Sequence, residues 1–213
     1  MQTERQIEII EAALELITEK GIQGMTIKNL SKKIGITEPA IYRHFVSKTE
    51  ILLSILNNFK EMAEILSGMM ESYEAPASEK ISFMFSKMLE LFSEKPSMVS
   101  VIFSEEIFKN EEVLKVRIVE ILNLHAQTVE SIISKGQQEK NVREDIEIKS
   151  LALIAMGSFR LFVKRWDLNN HNFDLSTEGK KLITVTSKVL KKLIEIINKN
   201  MKKLVPYLIA IAL

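Results

Sequence analysis

Residues 26–45 read TIKNLSKKIGITEPAIYRHF and contain two closely spaced helix starts. Thr26 precedes a short run of apolar residues at helical spacing, and Gly35 follows that run, as expected for an N-terminal cap and a left-handed C-terminal glycine. Thr37 precedes a second short run with Pro39 in its first turn, where a helix needs no intrahelical N–H. The stretch therefore predicts two short helices joined by a tight turn.

Longer helices are predicted on both sides of this pair. Thr3 and Gln6 have the spacing of a capping box, and the helix that they open is expected to end at Gly21 and Gly24. Ser47 and Glu50 have the same spacing downstream, at the start of a run with apolar residues at helical periodicity. A three-helix unit followed by a long helix is the predicted N-terminal arrangement.

The rest of the chain continues the helical periodicity, with no strand pattern. Further helix starts are predicted at five positions: Ser78, Pro96, Asn110, Asp145 and about Glu178, the last helix running to Lys202. We expect an all-α fold of about nine helices, with an N-terminal helix-turn-helix domain over residues 1–48 and a larger helical domain over residues 49–203. An apolar tail over residues 204–213 completes the chain, and its role stays open.

Composition agrees with an all-helical chain and excludes several classes of site. The 213 residues include seven glycines and four prolines, too few for the frequent turns of a sandwich or barrel. The absence of cysteine excludes disulfides, thiolate zinc sites and thiol nucleophiles. No glycine-rich phosphate loop or His-Glu-x-x-His motif is present, so we predict no enzyme, no catalytic residue, no metal and no cofactor.

The N-terminal and C-terminal segments bear on location. Charges occur throughout the first helix, which argues against a signal peptide. The apolar tail is about half of the ~20 residues that a membrane-spanning helix needs. We therefore expect a soluble, cytoplasmic protein without a membrane partner.

The short helix pair has the dimensions and charge of a DNA-binding element. The major groove, about 12 Å wide, admits one helix, and the second helix of such a pair commonly enters it. The whole chain has 29 basic and 28 acidic residues, but residues 26–48 have five Lys and Arg against one Glu, a local balance of +4. Residues 1–25 have a balance of −3. The basic charge is therefore concentrated on the helix pair.

At this point the sequence resembles a known family. The pattern of residues 26–52 is similar to the N-terminal domain of TetR-family transcriptional regulators. Its most specific part is Tyr-x-His-Phe followed by Ser-Lys, here Tyr42 to Lys48. The resemblance covers residues 5–56, about a quarter of the chain, and Ser31 stands where the family usually has alanine.

The resemblance implies a homodimeric repressor of a palindromic DNA operator, with a helical domain whose effector moves the recognition helices apart. It also implies a DNA-facing set of ten residues: Thr26, Lys28, Thr37, Glu38, Pro39, Ala40, Tyr42, Arg43, His44 and Lys48. Phosphate contacts are expected from Tyr42, His44 and Lys48. Base contacts are expected from Glu38, Pro39, Ala40 and Arg43, and Lys28 suits either kind.

Two further expectations concern the larger domain. It is rich in Met and Phe, which form cores but also line adaptable apolar pockets. The candidate residues for a small apolar effector are Met62, Met84, Phe85, Met88, Phe103, Phe159 and Phe162. The last two helices, about residues 146–168 and 178–202, have apolar residues on more than one face, which predicts the homodimer interface.

One alternative stays open from the residues. A TetR-like DNA-associated structural or protein-partner module would need no small-molecule effector. A middle domain filled by its own side chains would favour that alternative, whereas a cavity of several hundred Å3 would favour a ligand-responsive regulator.

Overall fold

The computed structural model describes residues 2–103 and 111–191, and these residues form nine α-helices without a strand. The helices are α1 Glu4–Gly24, α2 Ile27–Ile34, α3 Glu38–Tyr42, α4 Lys48–Ser72, α5 Ala77–Glu94, α6 Pro96–Ile102, α7 Glu112–Gln138, α8 Ile148–Leu168 and α9 Leu175–Leu190. The predicted all-α fold is confirmed.

The N-terminal helices begin and end where the local sequence predicts. Thr3 and Gln6 form a complete capping box at the start of α1, and the Thr26 hydroxyl accepts a backbone hydrogen bond at the start of α2. Gly35 adopts a φ of 76°, in the left-handed region, and its N–H donates to the Ser31 carbonyl at 3.0 Å. This tight stop is what allows α3 to turn back against α2.

A small apolar core fixes the orientation of α3. Ile41 and Phe45 are buried, and they belong to the same cluster as Leu30 of α2. Ile34 and Ile36 pack partly buried against that cluster. Because α3 has only five residues, this packing rather than its own hydrogen bonds holds it in place.

The start of α4 differs in one detail from the predicted capping box. The Ser47 side chain accepts from the Glu50 N–H at 3.1 Å, as predicted. The Glu50 carboxylate, however, accepts from the Val46 N–H and not from the cap residue. Both bonds still satisfy backbone donors at the junction between α3 and α4.

The larger domain is a bundle in which α4 and α7 run side by side in the same direction. Lys60 pairs with Glu120 at 3.1 Å, and further along Thr128 donates to Ser67 at 2.9 Å. Helix α5 returns towards the N-terminal domain and packs closely against α9. Helix α6 packs against α1, so the bundle touches the N-terminal domain directly.

Three predicted helix starts in the larger domain are wrong by one to three residues. Helix α5 begins at Ala77 after Pro76, and no side chain caps it, so Ser78 is not the cap. Helix α8 begins at Ile148 after Glu147. The last helix begins at Leu175, not near Glu178.

Competing hydrogen bonds explain two of these differences. Asp145 is not the cap of α8 because both of its carboxylate oxygens accept from the Arg143 guanidinium, at 2.8 and 2.7 Å. Asp174 caps α9 instead, since it accepts from the Thr177 N–H at 2.9 Å. These bonds also lower the pKa of both aspartates.

The C-terminal end of α9 also differs from the prediction. The helix ends at Leu190, and Lys191 has extended backbone angles, so α9 is interrupted at Lys191. Residues 192–202, the predicted start at Asn110 and the tail 204–213 lie outside the described residues. No helix within residues 2–103 and 111–191 has the length and apolar character to cross a membrane.

Candidate nucleic-acid interface and ligand domain

The predicted DNA-facing residues lie on α2, α3 and the start of α4, and most of them are exposed. The exposed members are Thr26, Lys28, Thr37, Glu38, Pro39, Tyr42 and Arg43. Ala40, His44 and Lys48 are half-buried. The Thr37 side chain makes no capping hydrogen bond, which leaves its hydroxyl available to a phosphate. Seven of the ten predicted DNA-facing residues are therefore exposed, and their contacts with DNA stay a prediction.

Lys48 has a structural partner in addition to its predicted phosphate contact. Its Nζ donates to the Ile22 carbonyl near the end of α1, at 2.9 Å. Burial lowers the pKa of this ammonium. Two of its three N–H donors remain beyond this bond, so the same side chain can join α4 to α1 and also reach a phosphate.

Lys33 does not contribute to the basic surface as the sequence count implied. Its Nζ lies 2.9 Å from the Glu15 carboxylate and 2.8 Å from that of Glu19. The hydrogen bond to Glu19, followed by the one to Glu15, raises the pKa of Lys33. Since both acids lie on α1, this lysine fastens α2 to α1, and the basic charge offered to DNA comes from the other cations of residues 26–48.

The predicted effector-pocket residues differ in their exposure. Phe85 and Phe159 are buried and stacked, with ring centroids 4.4 Å apart. Met84 is buried, whereas Met88 is half-buried and Met62 is exposed. The pocket assignment therefore stays a prediction.

The other two predicted pocket residues, Phe103 and Phe162, are less buried than Phe85 and Phe159. Phe103 is half-buried at the end of α6, with the Arg160 guanidinium 4.6 Å from its ring centroid. Phe162 is half-buried and packs against Phe173, with ring centroids 5.7 Å apart. Both rings are therefore partly accessible, unlike the central pair.

A cavity of about 170 Å3 lies elsewhere, where the ends of α4 and α7 meet the start of α5. Its lining includes Lys80, which is only 6% exposed, and the hydroxyl-bearing residues Ser67, Thr128 and Ser131. Sequence reasoning missed Lys80. The signal was its spacing of four residues from Met84, which places a lysine on the buried face of α5.

A short contact chain leads from the bundle to the N-terminal domain. The Ser100 hydroxyl of α6 donates to the Asp167 carboxylate of α8 at 3.2 Å. Helix α6 also packs against α1. A shift of α8 relative to α5 therefore has a direct mechanical route, through α6, to the helices that present the predicted DNA-facing set.

Family comparisons cover both parts of the chain. The family model described as bacterial regulatory proteins, tetR family, matches residues 9–55. The model described as YsiA-like protein, C-terminal region, matches residues 58–188, more than half of the chain. This chain belongs to the TetR family. It is a DNA-binding transcriptional regulator, as residues 26–52 predicted.

Similar proteins extend the match through the larger domain. The fatty acid metabolism regulator protein of Bacillus subtilis is 27% identical over 172 residues, covering 79% of this chain and 87% of that protein. The probable acrEF/envCD operon repressor of Escherichia coli is 20% identical, covering 83% and 82%. Both relatives are named as regulators or repressors, which supports the predicted ligand-responsive DNA-binding repressor.

A solved structure shows the same fold. The transcriptional regulator FadR of Bacillus subtilis, in complex with stearoyl-CoA, superposes with a TM-score of 0.74 at 24% identity. The match covers 86% of this chain and 98% of that one. At this identity the likeness establishes the arrangement of helices.

Proposed function

We propose that this TetR-family chain is a repressor that a long-chain fatty acyl-CoA releases from its operator. The observation that carries the proposal is the reach of the similarity to the fatty acid metabolism regulator, which covers 79% of the chain and therefore the ligand domain as well as the DNA-binding helices. The stearoyl-CoA complex with the same fold supports the same effector class.

The interior of the bundle offers an apolar environment that an acyl chain could share. Phe85 and Phe159 stack between α5 and α8, and buried Met84 precedes Phe85 on α5. Methionine side chains repack at low cost because they are unbranched and flexible. Entry of an acyl chain would separate α5 from α8. Because α6 joins α8 to α1, we expect that separation to move the recognition helices.

The dimer interface is proposed to lie on α8 and α9. Leu153, Leu161 and Leu168 are exposed on α8 at spacings that place them on one face, and Val185 is exposed on α9. An added Cβ at Gly157, on the same face, would meet nothing within 4 Å, so a partner helix could approach closely there. Two subunits would then present two copies of α3 to a palindromic operator in the cytoplasm.

Release of operator DNA is the test of this function. A duplex selected from a randomised library by the full-length dimer would be labelled and titrated with stearoyl-CoA, with free CoA as the matched control. We expect stearoyl-CoA to release the duplex and CoA to leave it bound. Retention of the duplex at saturating stearoyl-CoA would refute the proposed effector.

A second candidate is the structural or protein-partner module without an effector. The observation that favours it is the direct stacking of Phe85 on Phe159, since these predicted pocket side chains fill the space between their helices. A chain of this kind would bind the selected duplex and respond to no acyl-CoA of any length.

A further inference from the structure

The cavity at the end of the bundle contains a buried cation that pairs with no acid within residues 2–103 and 111–191. Lys80 is 6% exposed, and the bond that its Nζ makes within the described residues is to the Met70 carbonyl, at 2.7 Å. An ammonium has three donors, and a buried charge is normally neutralised by an acid or a bound anion. The neutral carbonyl, near the C-terminal end of α4, compensates only part of this charge.

The surroundings of Lys80 suit an anionic oxygen. The hydroxyls of Thr128 and Ser67 lie on the cavity wall, 2.9 Å apart. Because the Thr128 hydroxyl donates to Ser67 and to the Leu124 carbonyl, the Ser67 hydroxyl is the one whose proton can be donated to an anion. Ala77 of the cavity wall is the first residue of α5, whose N-terminus has no side-chain cap, so backbone N–H groups add partial positive charge.

The acidic residues of the cavity lie at its outer edge. Glu71 and Glu139 are both exposed, where water screens their charge. Lys135 lies 3.9 Å from Glu139 and partly offsets it. The cavity is therefore most favourable for an anion at its inner end, beside Lys80.

Apolar residues follow Lys80 and precede Met70 along the helices that line the cavity. Met84 lies one turn further along α5 on the same face as Lys80, about 6 Å deeper by helix geometry, and Met88 follows it by another turn. On α4, Met70 lines the cavity, and buried Ala63 lies two turns earlier in that helix. A polar head group at Lys80 would thus place the first part of an attached acyl chain between α4, α5 and α7, and the rest of the chain would continue into the interior beside Phe85 and Phe159, between α5 and α8.

We propose that Lys80 binds the anionic head group of an amphipathic acyl effector at the mouth of its channel. The assignment rests on the proposed effector class and adds the residue that binds the charged end of the effector. Either a fatty acid carboxylate or a phosphate of an acyl-CoA supplies the anionic oxygen, and the cavity's opening lets the remainder of a CoA group extend into solvent.

The test compares three probes that share one acyl chain: stearoyl-CoA, stearate and methyl stearate. Binding to the full-length dimer is measured by isothermal titration calorimetry for the wild type and for Lys80→Met. We expect Lys80→Met to weaken at least one charged probe about tenfold or more, the usual worth of a charge-assisted hydrogen bond, and to leave methyl stearate unchanged. The charged probe that weakens identifies the head group.

Two further variants separate charge recognition from folding. Lys80→Gln removes the charge but keeps a donor for the Met70 carbonyl, and it replaces Lys80→Met if that variant does not fold. Lys87→Met is the matched control, because Lys87 lies on the same helix but is exposed and paired with Glu90 at 2.6 Å. We expect Lys87→Met to bind all three probes as the wild type does.

Each remaining outcome has one reading. Equal affinities for the charged probes in wild type and Lys80 variants overturn the assignment of Lys80 while leaving the effector class intact. An equal loss for all three probes, methyl stearate included, also overturns it, since a structural role would act on every ligand. Failure of the wild type to bind any probe overturns the proposed effector together with this assignment.

Discussion

The replacement of Lys48 by Gln tests the phosphate contact at the start of α4. In the wild type, the Lys48 Nζ donates to the Ile22 carbonyl at 2.9 Å. Glutamine keeps an N–H donor for this carbonyl but removes the positive charge. Each phosphate contact contributes about 0.9 to the slope of log K against log salt concentration, so two subunits should lose about 1.8. Over a fourfold rise in salt, the wild type should lose about 12-fold more affinity than the variant.

Fluorescence anisotropy of a labelled operator at four salt concentrations measures this slope. The matched control is Lys33→Gln, because Lys33 is paired with Glu15 and Glu19 at 2.9 and 2.8 Å and has no free charge for DNA. Its slope should equal that of the wild type. A Lys48→Gln slope equal to the wild type, or an equal decrease in Lys33→Gln, would refute the assignment of charges on this surface.

Three other predictions concern stability. Phe159→Ala should lower the free energy of unfolding by about 3–5 kcal/mol, because the ring is buried against two other aromatic rings. Phe162 is only half-buried, so Phe162→Ala should lower it less, and urea denaturation of both variants measures the difference. Gly35→Ala should lower the free energy of unfolding by about 1–2 kcal/mol, since the φ of Gly35 is 76°, whereas Gly68→Ala, in open space on α4, should raise it by about 0.5–1 kcal/mol. Melting temperatures of the two variants that shift in the same direction would contradict this. Burial lowers the pKa of His125 on α7, so the unfolded chain binds a proton on this residue more tightly than the folded chain does, and the free energy of unfolding should decrease as the pH falls below the ordinary pKa of 6.5. Chemical denaturation at several pH values should show a smaller decrease for His125→Gln.

Local hydrogen-bonding signals made the N-terminal helices predictable. Thr3, Thr26 and Ser47 cap helices because the side-chain oxygen and the backbone N–H that it accepts lie within three residues of each other. Gly35 ends α2 because a left-handed turn is needed at a fixed place. These signals depend on adjacent residues alone, so the sequence contains them completely.

Helix boundaries and charges outside these local signals were less predictable, because a polar side chain can form hydrogen bonds or ion pairs with either near or distant residues. Aspartate commonly caps helices, yet both carboxylate oxygens of Asp145 accept hydrogen bonds from the Arg143 guanidinium two residues away. Lys33 counts as a basic residue in any sequence tally, but it is neutralised by acids 14 and 18 positions earlier, on another helix. Such competition is settled only when the helices are packed.

The ligand site was the hardest part to predict. Met and Phe periodicity identifies the buried faces of α5 and α8, but the same pattern describes a filled core and a pocket. Lys80 shows the complementary difficulty, because a single lysine among apolar residues looks like an exposed position until the packing of α4 and α7 encloses it. A buried charge is therefore more informative about the site than the apolar residues are.

The affinity of the dimer for stearoyl-CoA, measured with and without bound operator DNA, tests the central claim most directly. If one ligand releases the other, each must weaken the other's binding by the same factor, since the coupling free energy is shared. We predict that operator-bound dimer binds stearoyl-CoA about 5–150-fold more weakly than free dimer. Equal affinities in the two titrations would contradict a repressor controlled by this effector.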